Sequence, residues 1–363
     1  MIEAFMRSLV VWVGLLLWLP LPTLAEPYLA VEQGYKCNAC HVNPTGGGLR
    51  NQAGAAFAQY ALPAYRLPDG LLGWNGRIGD FIRLGGDLRT GSSRTEVPNQ
   101  TSQRVSGLEQ MRLYGDVEII SDRLDLYLDE LLAPGNKTRE EAYLRLSTSG
   151  KAWTLKAGQF YLPFGWRLQD NTAFVREVSG ISMTNPDKGI ELGMERDEWS
   201  AQLAYTNGPG NVGRVSGHQV TAQVVWLQPW GRVGGAYAAT TSTAGNRQVS
   251  GLFGGFRSGP LAWLGEIDLV RDAGYPEGRR TLLAALGEVN WRIDQGFNLK
   301  LTGEYFDPDR KVAHDNKVRQ SLLLEFTPIA FIQLRAGYRR YLGIPQNNLD
   351  NRKLGFVELH GLF

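Results

Sequence analysis

The sequence predicts an all-β fold: an antiparallel transmembrane β-barrel of about sixteen strands, preceded by a small N-terminal segment. Three observations predict it. Apolar and polar residues alternate from about residue 76, short and long connections alternate along the same region, and only the N-terminus carries a long apolar run. The 44 glycines and 10% aromatic residues agree, since they favour many strands and tight turns.

Alternation with a period of two is clearest at residues 297–305, FNLKLTGEY. Pleating sends successive side chains to opposite faces of a strand, so one face is apolar and the other polar. Residues 124–129 and 332–338 repeat the pattern. The predicted lumen-facing charges have both signs, which gives no clear ion selectivity: Arg112, Asp116, Asp125, Lys156, Glu191, Lys300, Glu304, Arg335 and Glu358.

The connections separate a barrel from a soluble sandwich, which alternates as well. Candidate strands begin near residues 77, 106, 124, 138, 153, 189, 199, 217, 231, 246, 260, 279, 296, 315, 330 and 353. Short turns near 122, 150, 230, 259, 295 and 327 alternate with longer loops at 92–104, 162–188, 207–215, 272–278, 307–314 and 343–351. Outer-membrane barrels show this asymmetry. Tryptophans near strand ends suit an interfacial girdle, and a last strand ending at Phe363 resembles the C-terminal signature of bacterial outer-membrane proteins.

The N-terminus predicts export. Arg7 precedes the apolar run SLVVWVGLLLWLPLP, and Thr23-Leu24-Ala25 provides small residues before a cleavage point. We therefore predict a signal peptide at 1–25 and a mature chain from Glu26, with an uncleaved anchor as the alternative. No later stretch has the 18 to 20 or so apolar residues of a membrane helix. The predicted domains are an N-terminal segment at 26–70 and a barrel at 71–363.

Charge gives no argument for a nucleic-acid partner. Lysine and arginine number 38 against 36 acidic residues, a formal net charge of +2. A nucleic-acid-binding protein usually shows a clustered basic patch.

The segment KCNACH at 36–41 holds both cysteines of the chain. Cys-x-x-Cys-His is the attachment pattern of haem c. Cys37 and Cys40 would form thioethers with the porphyrin, and His41 would be the proximal iron ligand. A redox Cys-x-x-Cys requires a thioredoxin-like context, structural zinc requires four ligands, and a Cys37–Cys40 disulfide leaves His41 unexplained. One covalent haem c is the predicted cofactor.

A second axial ligand is harder to identify. Residues 26–70 contain no methionine and no histidine except His41. Met111 and Met194 share the apolar strand face, and His218 and His314 lie at the end with long loops. His360, on the lumen face, and Met183, in the long loop 162–188, are the tentative distal ligands. His360 as an ordinary lumen-facing polar residue remains the alternative.

An exported Cys-x-x-Cys-His segment followed by a porin-like barrel resembles the fused outer-membrane cytochrome–porins, known from bacteria that oxidise ferrous iron at the cell surface. The motif-level likeness covers residues 27–48 and the last strand. The barrel is shorter than in iron-oxidiser examples, and residues 42–48, VNPTGGG, do not clearly follow their consensus. The family is therefore better supported than iron as the substrate.

The resemblance implies electron transfer across the outer membrane through a haem in the lumen or at its periplasmic mouth. The implied partners are outer-membrane lipid, a periplasmic cytochrome or other redox protein, and external iron or mineral. Whether the chain is itself an Fe(II)-oxidising oxidoreductase stays open. Residues 42–70 would form the plug, with close backbone approach at Gly46–Gly48 and a short helix at 53–58. Loop 162–188 either folds inward as a constriction or is an ordinary outer loop.

Two other functions remain open. A diffusion porin with an accessory haem predicts substantial channel conductance, whereas a plugged conduit predicts little. A barrel that sheathes a separate multihaem cytochrome predicts co-purification with that protein.

Overall fold

The computed structural model describes residues 26–68, 73–208, 217–243 and 245–363. The predicted signal peptide lies outside the described residues, as do positions 209–215 of the predicted loop 207–215. In the described ranges, no helix combines the length and the hydropathy needed to cross a membrane.

Seventeen strands form one antiparallel sheet. The first, β1 (Arg77–Ile78), is a two-residue strand at the edge of β2. The other sixteen are β2 (Ile82–Glu96), β3 (Gln103–Ile120), β4 (Leu124–Ala133), β5 (Thr138–Ser147), β6 (Trp153–Phe160), β7 (Asp187–Glu195), β8 (Trp199–Thr206), β9 (Gly217–Gln228), β10 (Gly231–Ser242), β11 (Gly245–Ser258), β12 (Leu261–Asp272), β13 (Arg280–Asp294), β14 (Phe297–Asp307), β15 (Lys317–Ile329), β16 (Ile332–Leu342) and β17 (Lys353–Leu362).

The sheet closes on itself. Each of β2 to β17 pairs with its neighbours in the sequence, and β17 pairs back with β2 from Lys353↔Glu96 to Leu362↔Asp87. Closure leaves no unpaired strand edge, which is what a sheet needs in a hydrocarbon environment. The predicted sixteen-stranded antiparallel barrel is therefore confirmed.

The two faces of the wall differ as the alternation predicts. On β14, Asn298, Lys300 and Glu304 are buried on the lumen side, while Leu301 is exposed on the outside. All nine predicted lumen charges are buried or nearly so. The outer face is a belt of exposed apolar side chains, among them Leu144, Ile190, Leu203, Val224, Leu252, Ile267, Leu322, Leu334 and Val357. Such a belt fits the outer surface of a transmembrane barrel.

Connections of two lengths define the ends. We call the end that carries the tight turns at 121–123, 196–198, 229–230, 259–260 and 330–331 the short-turn end, and the opposite one the long-loop end. Exposed tryptophans lie close to the short turns: Trp153, Trp199, Trp230, Trp263 and Trp291. Both chain ends of the barrel, β1 and the end of β17, also lie at the short-turn end, as an even strand count requires.

Two non-barrel segments occupy the lumen. The N-terminal segment contains α1 (Pro27–Gln33), a 3₁₀ turn (Cys37–Ala39), α2 (Gln52–Ala56) and a π-helical turn (Phe57–Ala61). We call residues 161–186, between β6 and β7, the inward loop; it carries α3 (Phe174–Ser179), most of which is buried. Of the two alternatives for loop 162–188, the one in which the loop folds inward is therefore correct. Elsewhere, Ser149–Lys151 and Asn348–Asn351 form 3₁₀ turns.

The N-terminal segment is anchored at the short-turn end. Lys36 Nζ pairs with Glu195 at 3.2 Å, and the amides of Ala64 and Tyr65 donate to the carbonyls of Thr327 and Pro328 at 2.9 Å. Deeper in the lumen, Glu26 pairs with Lys300 of β14 at 2.9 Å. The segment therefore fills the barrel from the short-turn end, and the inward loop meets it from the other side.

Candidate cofactor site

A cavity with about 950 Å³ of space between protein atoms, part of it open to solvent, lies between the N-terminal segment and the inward loop. Cys37, Cys40 and His41 border it on one side, and Trp166 and Arg167 of the inward loop border it on the other. The wall contributes residues near the short-turn ends of three strands: Gln223, Val225, Arg232 and Phe253. The cavity therefore sits in the half of the lumen nearer the short-turn end.

The cysteine motif is held in a compact turn by backbone hydrogen bonds. The amides of Cys40 and His41 both donate to the Cys37 carbonyl, at 3.2 and 2.9 Å. Asn51 clamps the turn, because its amide donates to the Cys40 carbonyl at 3.0 Å and its Nδ2 donates to the Asn38 carbonyl at 2.9 Å. The same side chain caps α2 by accepting from the Gly54 amide at 2.9 Å. One asparagine thus links the motif to the helix behind it.

Residues 42–49 form a tight excursion that returns the chain to the motif. The amide of Val42 donates to the Leu49 carbonyl at 3.0 Å, and His41 and Arg50 are bridge partners. Gly46, Gly47 and Gly48 have φ values of 87°, 74° and 60°. This left-handed region suits glycine.

The three glycines also allow the close approach that the sequence predicts. A Cβ at Gly46 would lie 3.2 Å from the Cys37 sulfur, one at Gly47 3.2 Å from the Met183 methyl, and one at Gly48 would overlap the Tyr127 hydroxyl. The backbone at the three glycines therefore lies close to Cys37, the inward loop and the barrel wall, respectively.

The wall fixes the residues that follow the motif. Lys156 Nζ donates to Asn43 Oδ1 at 2.9 Å, the Leu49 amide donates to the Tyr127 hydroxyl at 3.0 Å, and Arg145 donates to the Val42 carbonyl. Asn43 is fully buried. These contacts orient the excursion, and with it the side chain of His41.

His41 is buried, and neither ring nitrogen makes a hydrogen bond of acceptable geometry with the described residues. Burial, followed by the positive charge of Arg50, lowers the pKa of His41 to about 3, against a smaller opposing effect of the Gly48 and Gly47 backbone. The imidazole is therefore neutral at physiological pH. Neutral imidazole is the form that ligates metals.

Both cysteines are free thiols, each half-buried. Burial raises the pKa of Cys40, against the opposing charge of Arg50. Two thiols and an unpartnered imidazole thus border one cavity, in the order in which Cys-x-x-Cys-His binds haem c. The donor set fits a covalently attached porphyrin.

The tentative distal ligands do not border this cavity. His360, on β17, is fully buried; its Nδ1 lies 3.3 Å from Gln333 Oε1 and its Nε2 lies 3.5 Å from Asp87 Oδ1. Met183 lies in the inward loop with its methyl against Gly47. A distal ligand from either residue stays a prediction. Met111 faces outward, His218 lies at the long-loop end of β9 and His314 lies in an exposed loop, in agreement with the sequence.

Three arginines at the cavity were not predicted from the sequence: Arg50, Arg167 and Arg232. Burial lowers the pKa of Arg50 to about 9, so the guanidinium still carries its charge at neutral pH. The sequence holds no signal for this group, because one member comes from the N-terminal segment, one from the inward loop and one from β10.

The comparisons with known proteins find structures of the same fold. The chain is similar to an anion-selective porin from Comamonas acidovorans (13% identity, TM-score 0.60, covering 78% of this chain and 99% of that one). It is also similar to OmpT of Vibrio cholerae in its trimer form (12%, 0.60, 78% and 99%) and to the outer-membrane channel DcaP of Acinetobacter baumannii (12%, 0.56, 77% and 96%). No family model and no curated protein matches the sequence. At these identities the likeness establishes the barrel fold alone.

Proposed function

We propose that this chain is an outer-membrane barrel that carries one covalent haem c in its lumen and transfers single electrons across the membrane. The observation that supports the haem is that Cys37, Cys40 and His41 border one cavity. The belt of apolar residues on the closed barrel supports the location in a membrane. An iron porphyrin supplies a one-electron couple when it is bound.

The residues of the chain hold and insulate that site. The Cys37 and Cys40 sulfurs form the covalent links, and His41, held by the Asn51 clamp and the glycine excursion, presents a neutral imidazole. The inward loop covers the cavity from the long-loop side, with Trp166 and Arg167 against it. Because ordered chain fills both approaches, electrons pass while bulk solution and metal ions are held back.

The position of the cavity implies a partner. The hydrocarbon-facing band of such barrels is about 25 Å tall, and a single site near the short-turn end does not span it. A periplasmic cytochrome or another redox protein would exchange electrons at the short-turn end. An external donor or acceptor, with ferrous iron or mineral as candidates, would act at the long-loop end.

Reconstitution tests this function. We expect protein purified from outer membranes to show a Soret band. In liposomes that contain a trapped redox dye, it should reduce the dye when an impermeant reductant is added outside. Cys37→Ala/Cys40→Ala should lose both properties while keeping its resistance to protease. Absence of a Soret band in wild-type protein, or dye reduction equal in the haem-free variant, would contradict the proposal.

A diffusion porin is the second candidate, and the comparisons favour it. The solved structures similar to this chain include an anion-selective porin and an outer-membrane channel. The lumen argues against it, since the N-terminal segment and the inward loop occupy the space that a solute would use. Planar-bilayer recording separates the two: large, steady conductance in wild-type protein supports the porin. The filled lumen also argues against a barrel that sheathes a separate multihaem cytochrome, because that protein would need the same space.

A further inference from the structure

We propose that four basic residues on the outer surface of the barrel bind the phosphate group of a membrane lipid. We call them the basic patch; they are Arg94, Arg104, Arg340 and Lys353. The patch lies on the outside of the wall, so the inference goes beyond the proposed electron transfer and holds with or without a haem. It depends only on the location of the barrel in the outer membrane.

The strand register gathers the patch at the seam where the sheet closes. Arg340 on β16 lies opposite Lys353 on β17, and Arg94 on β2 lies opposite Arg104 on β3. At the seam between β17 and β2, Gly355 lies opposite Arg94. The four bases therefore sit on four adjacent strands, although they come from the two ends of the barrel sequence.

All four side chains are exposed and point away from the lumen. On β17, Val357 shares the face of Lys353 and is 56% exposed, whereas Glu358 on the other face is buried in the lumen. Residues directly opposite each other in a sheet point to the same side. The register therefore turns the whole basic patch toward the surroundings of the barrel.

Exposed tyrosines show the height of the patch relative to the membrane. Tyr205, Tyr305 and Tyr338 face outward near the long-loop ends of their strands. Tyrosine rings favour the boundary between hydrocarbon and water. Arg340 lies two residues beyond Tyr338 toward the long-loop end, about 7 Å further along the strand. The basic patch is thus at the level of the lipid head groups, in the leaflet that the long loops face.

The patch concentrates charge of one sign. Each of its two opposite pairs joins two bases, and like charges directly opposite each other destabilise a sheet. Of the four bases, only Arg94 forms an ion pair with a described residue, with Glu96 at 3.1 Å. Arg104 Nε donates to the neutral Ser92 Oγ at 3.3 Å. An anion held between the two pairs would remove the repulsion.

Gly355 leaves a depression between the two pairs, because a Cβ added there would have no atom within 4 Å. The lining of this depression includes Ser92, Arg94, Ser102, Arg104 and Val357. Guanidinium groups bind phosphate oxygens through paired, charge-assisted hydrogen bonds, and serine hydroxyls donate further ones. Since Val357 belongs to the apolar belt, the acyl chains of a lipid can lie directly below its phosphate. This continuity favours a lipid over free phosphate.

Other outward-facing bases at the long-loop end provide the matched control. Arg271 on β12 is exposed and lies opposite Gln248 and Thr281, and Lys188 on β7 is exposed and lies opposite Gln159. Both have the charge and the exposure of the patch residues, but their opposite neighbours are neutral. They lack the second base with which the patch residues would share one phosphate.

Native mass spectrometry of the purified full chain in detergent tests the site. The probe is short-chain phosphatidic acid, which carries a phosphomonoester, and phosphatidylcholine with the same chains is the lipid control. Wild-type protein should bind phosphatidic acid more tightly. At about fivefold per base, Arg104→Gln/Arg340→Gln/Lys353→Gln should weaken this binding roughly hundredfold. Lys188→Gln/Arg271→Gln should bind as wild type does.

Glu96→Gln tests the site in the opposite direction. It releases Arg94 from its ion pair and removes one negative charge, so phosphatidic acid should bind more tightly, whereas a site that does not use the patch would be unaffected. Equal binding of the two lipids, or equal losses in the triple variant and the control, overturns the proposal. Competition by inorganic phosphate at the concentration of the lipid overturns the lipid as the source and leaves a site for free phosphate. Haem content changes none of these outcomes, so they are independent of the proposed electron transfer.

Discussion

Lys156 on β6 donates a 2.9 Å hydrogen bond to Oδ1 of Asn43, two residues after His41, while it pairs with Glu191 at 2.8 Å. The wall thus holds the cysteine motif through a side chain that is completely buried. A hydrogen bond to a charged group contributes about 1.5–3 kcal/mol.

Asn43→Ala is therefore expected to loosen the N-terminal segment by about that amount while the barrel remains closed. Limited proteolysis should detect earlier cleavage within residues 26–68, with the barrel fragment intact. Asn136→Ala, in an exposed connection at the long-loop end, is the control and should behave as wild type. Equal protease resistance of both variants would contradict the anchoring role.

Gly48→Ala should displace the excursion. The new Cβ would sit at φ 60° and overlap the Tyr127 hydroxyl. Gly259→Ala is the control that introduces backbone strain without steric overlap. Gly259 has a φ of 58°, and a Cβ added there would have no atom within 4 Å. Strain alone costs about 1 kcal/mol. We expect the haem yield per barrel to fall much more for Gly48→Ala than for Gly259→Ala.

Tyr127→Phe tests the overlap directly. Removing the hydroxyl loses the 3.0 Å hydrogen bond from the Leu49 amide, but it makes room for a methyl group at position 48. The double variant Gly48→Ala/Tyr127→Phe should recover part of the haem yield that Gly48→Ala loses. If the two substitutions lower the haem yield additively, the overlap with the hydroxyl is not the cause of the loss in Gly48→Ala.

Gly54→Ala should raise the helix propensity of α2 but create a steric overlap. Alanine inside a helix is favoured over glycine by about 1 kcal/mol. At Gly54, however, a Cβ would overlap the Cys40 carbonyl. We expect a lower yield of covalent haem, measured from the Soret absorbance per protein. Ala56→Gly, at an exposed position of the same helix, should reduce propensity with a smaller effect on yield.

Asp170 anchors the inward loop to the wall, with Oδ2 2.9 Å from both Arg319 and Arg339. Burial would raise the pKa of Asp170, but the guanidiniums of Arg339 and Arg319 together hold it well below its usual range. A carboxyl with a depressed folded-state pKa contributes stability that is present above its unfolded pKa and is lost as the pH falls through the folded value. The loop should therefore stay anchored down to about pH 4.

Single-channel recording checks this anchor. Conductance of wild-type protein should be constant from neutral pH to about pH 4 and rise only below it. Asp170→Asn should raise conductance already at neutral pH, because it removes the carboxylate that ties the inward loop to Arg319 and Arg339 of the wall. Glu277→Gln, in an exposed outer loop, is the charge control and should have no effect. Unchanged conductance in Asp170→Asn would mean that the loop is held by its other contacts.

The sixth coordination position gives a spectroscopic prediction. The positions of His360 and Met183 away from the cavity favour an open sixth position over the distal ligand that the sequence predicts. We therefore expect ferric protein to be high-spin and to bind added imidazole. Met183→Leu and His360→Ala should leave the spectrum unchanged. A low-spin wild-type spectrum that turns high-spin in one of these variants would identify that residue as the distal ligand.

Much of the barrel was predictable because alternation is a local signal. Strand β15 illustrates the limit of this signal. It runs past Pro328 to Ile329, where the sequence predicts a turn. A register shift between Phe326 and Ile329 accommodates the proline. Strands tolerate proline at such irregularities, so the residue type alone does not mark the turn.

The predictions of the first strand and the first loop were less accurate for a related reason. Arg77–Ile78 forms the separate strand β1, and β2 begins only at Ile82. The predicted loop 92–104 shrinks to 97–102, because β2 and β3 extend beyond their apolar stretches with residues such as Ser93 and Arg104. A polar strand extension has no apolar face, so alternation does not distinguish it from a loop.

At the site, Cys37, Cys40 and His41 were identifiable because their spacing carries the chemistry. The arginines at 50, 167 and 232 were not, because they reach the cavity from three segments that lie far apart in the chain. The predicted inward alternative for loop 162–188 likewise depended on contacts that the sequence does not encode locally.

The place of the cavity constrains how the protein is made. Cys37, Cys40 and His41 border a cavity inside a wall that is completed only when the last strand, β17, joins β2. A rigid tetrapyrrole attached to Cys37 and Cys40 would be easiest to install before that seam forms. Barrels that close first would then accumulate as colourless protein.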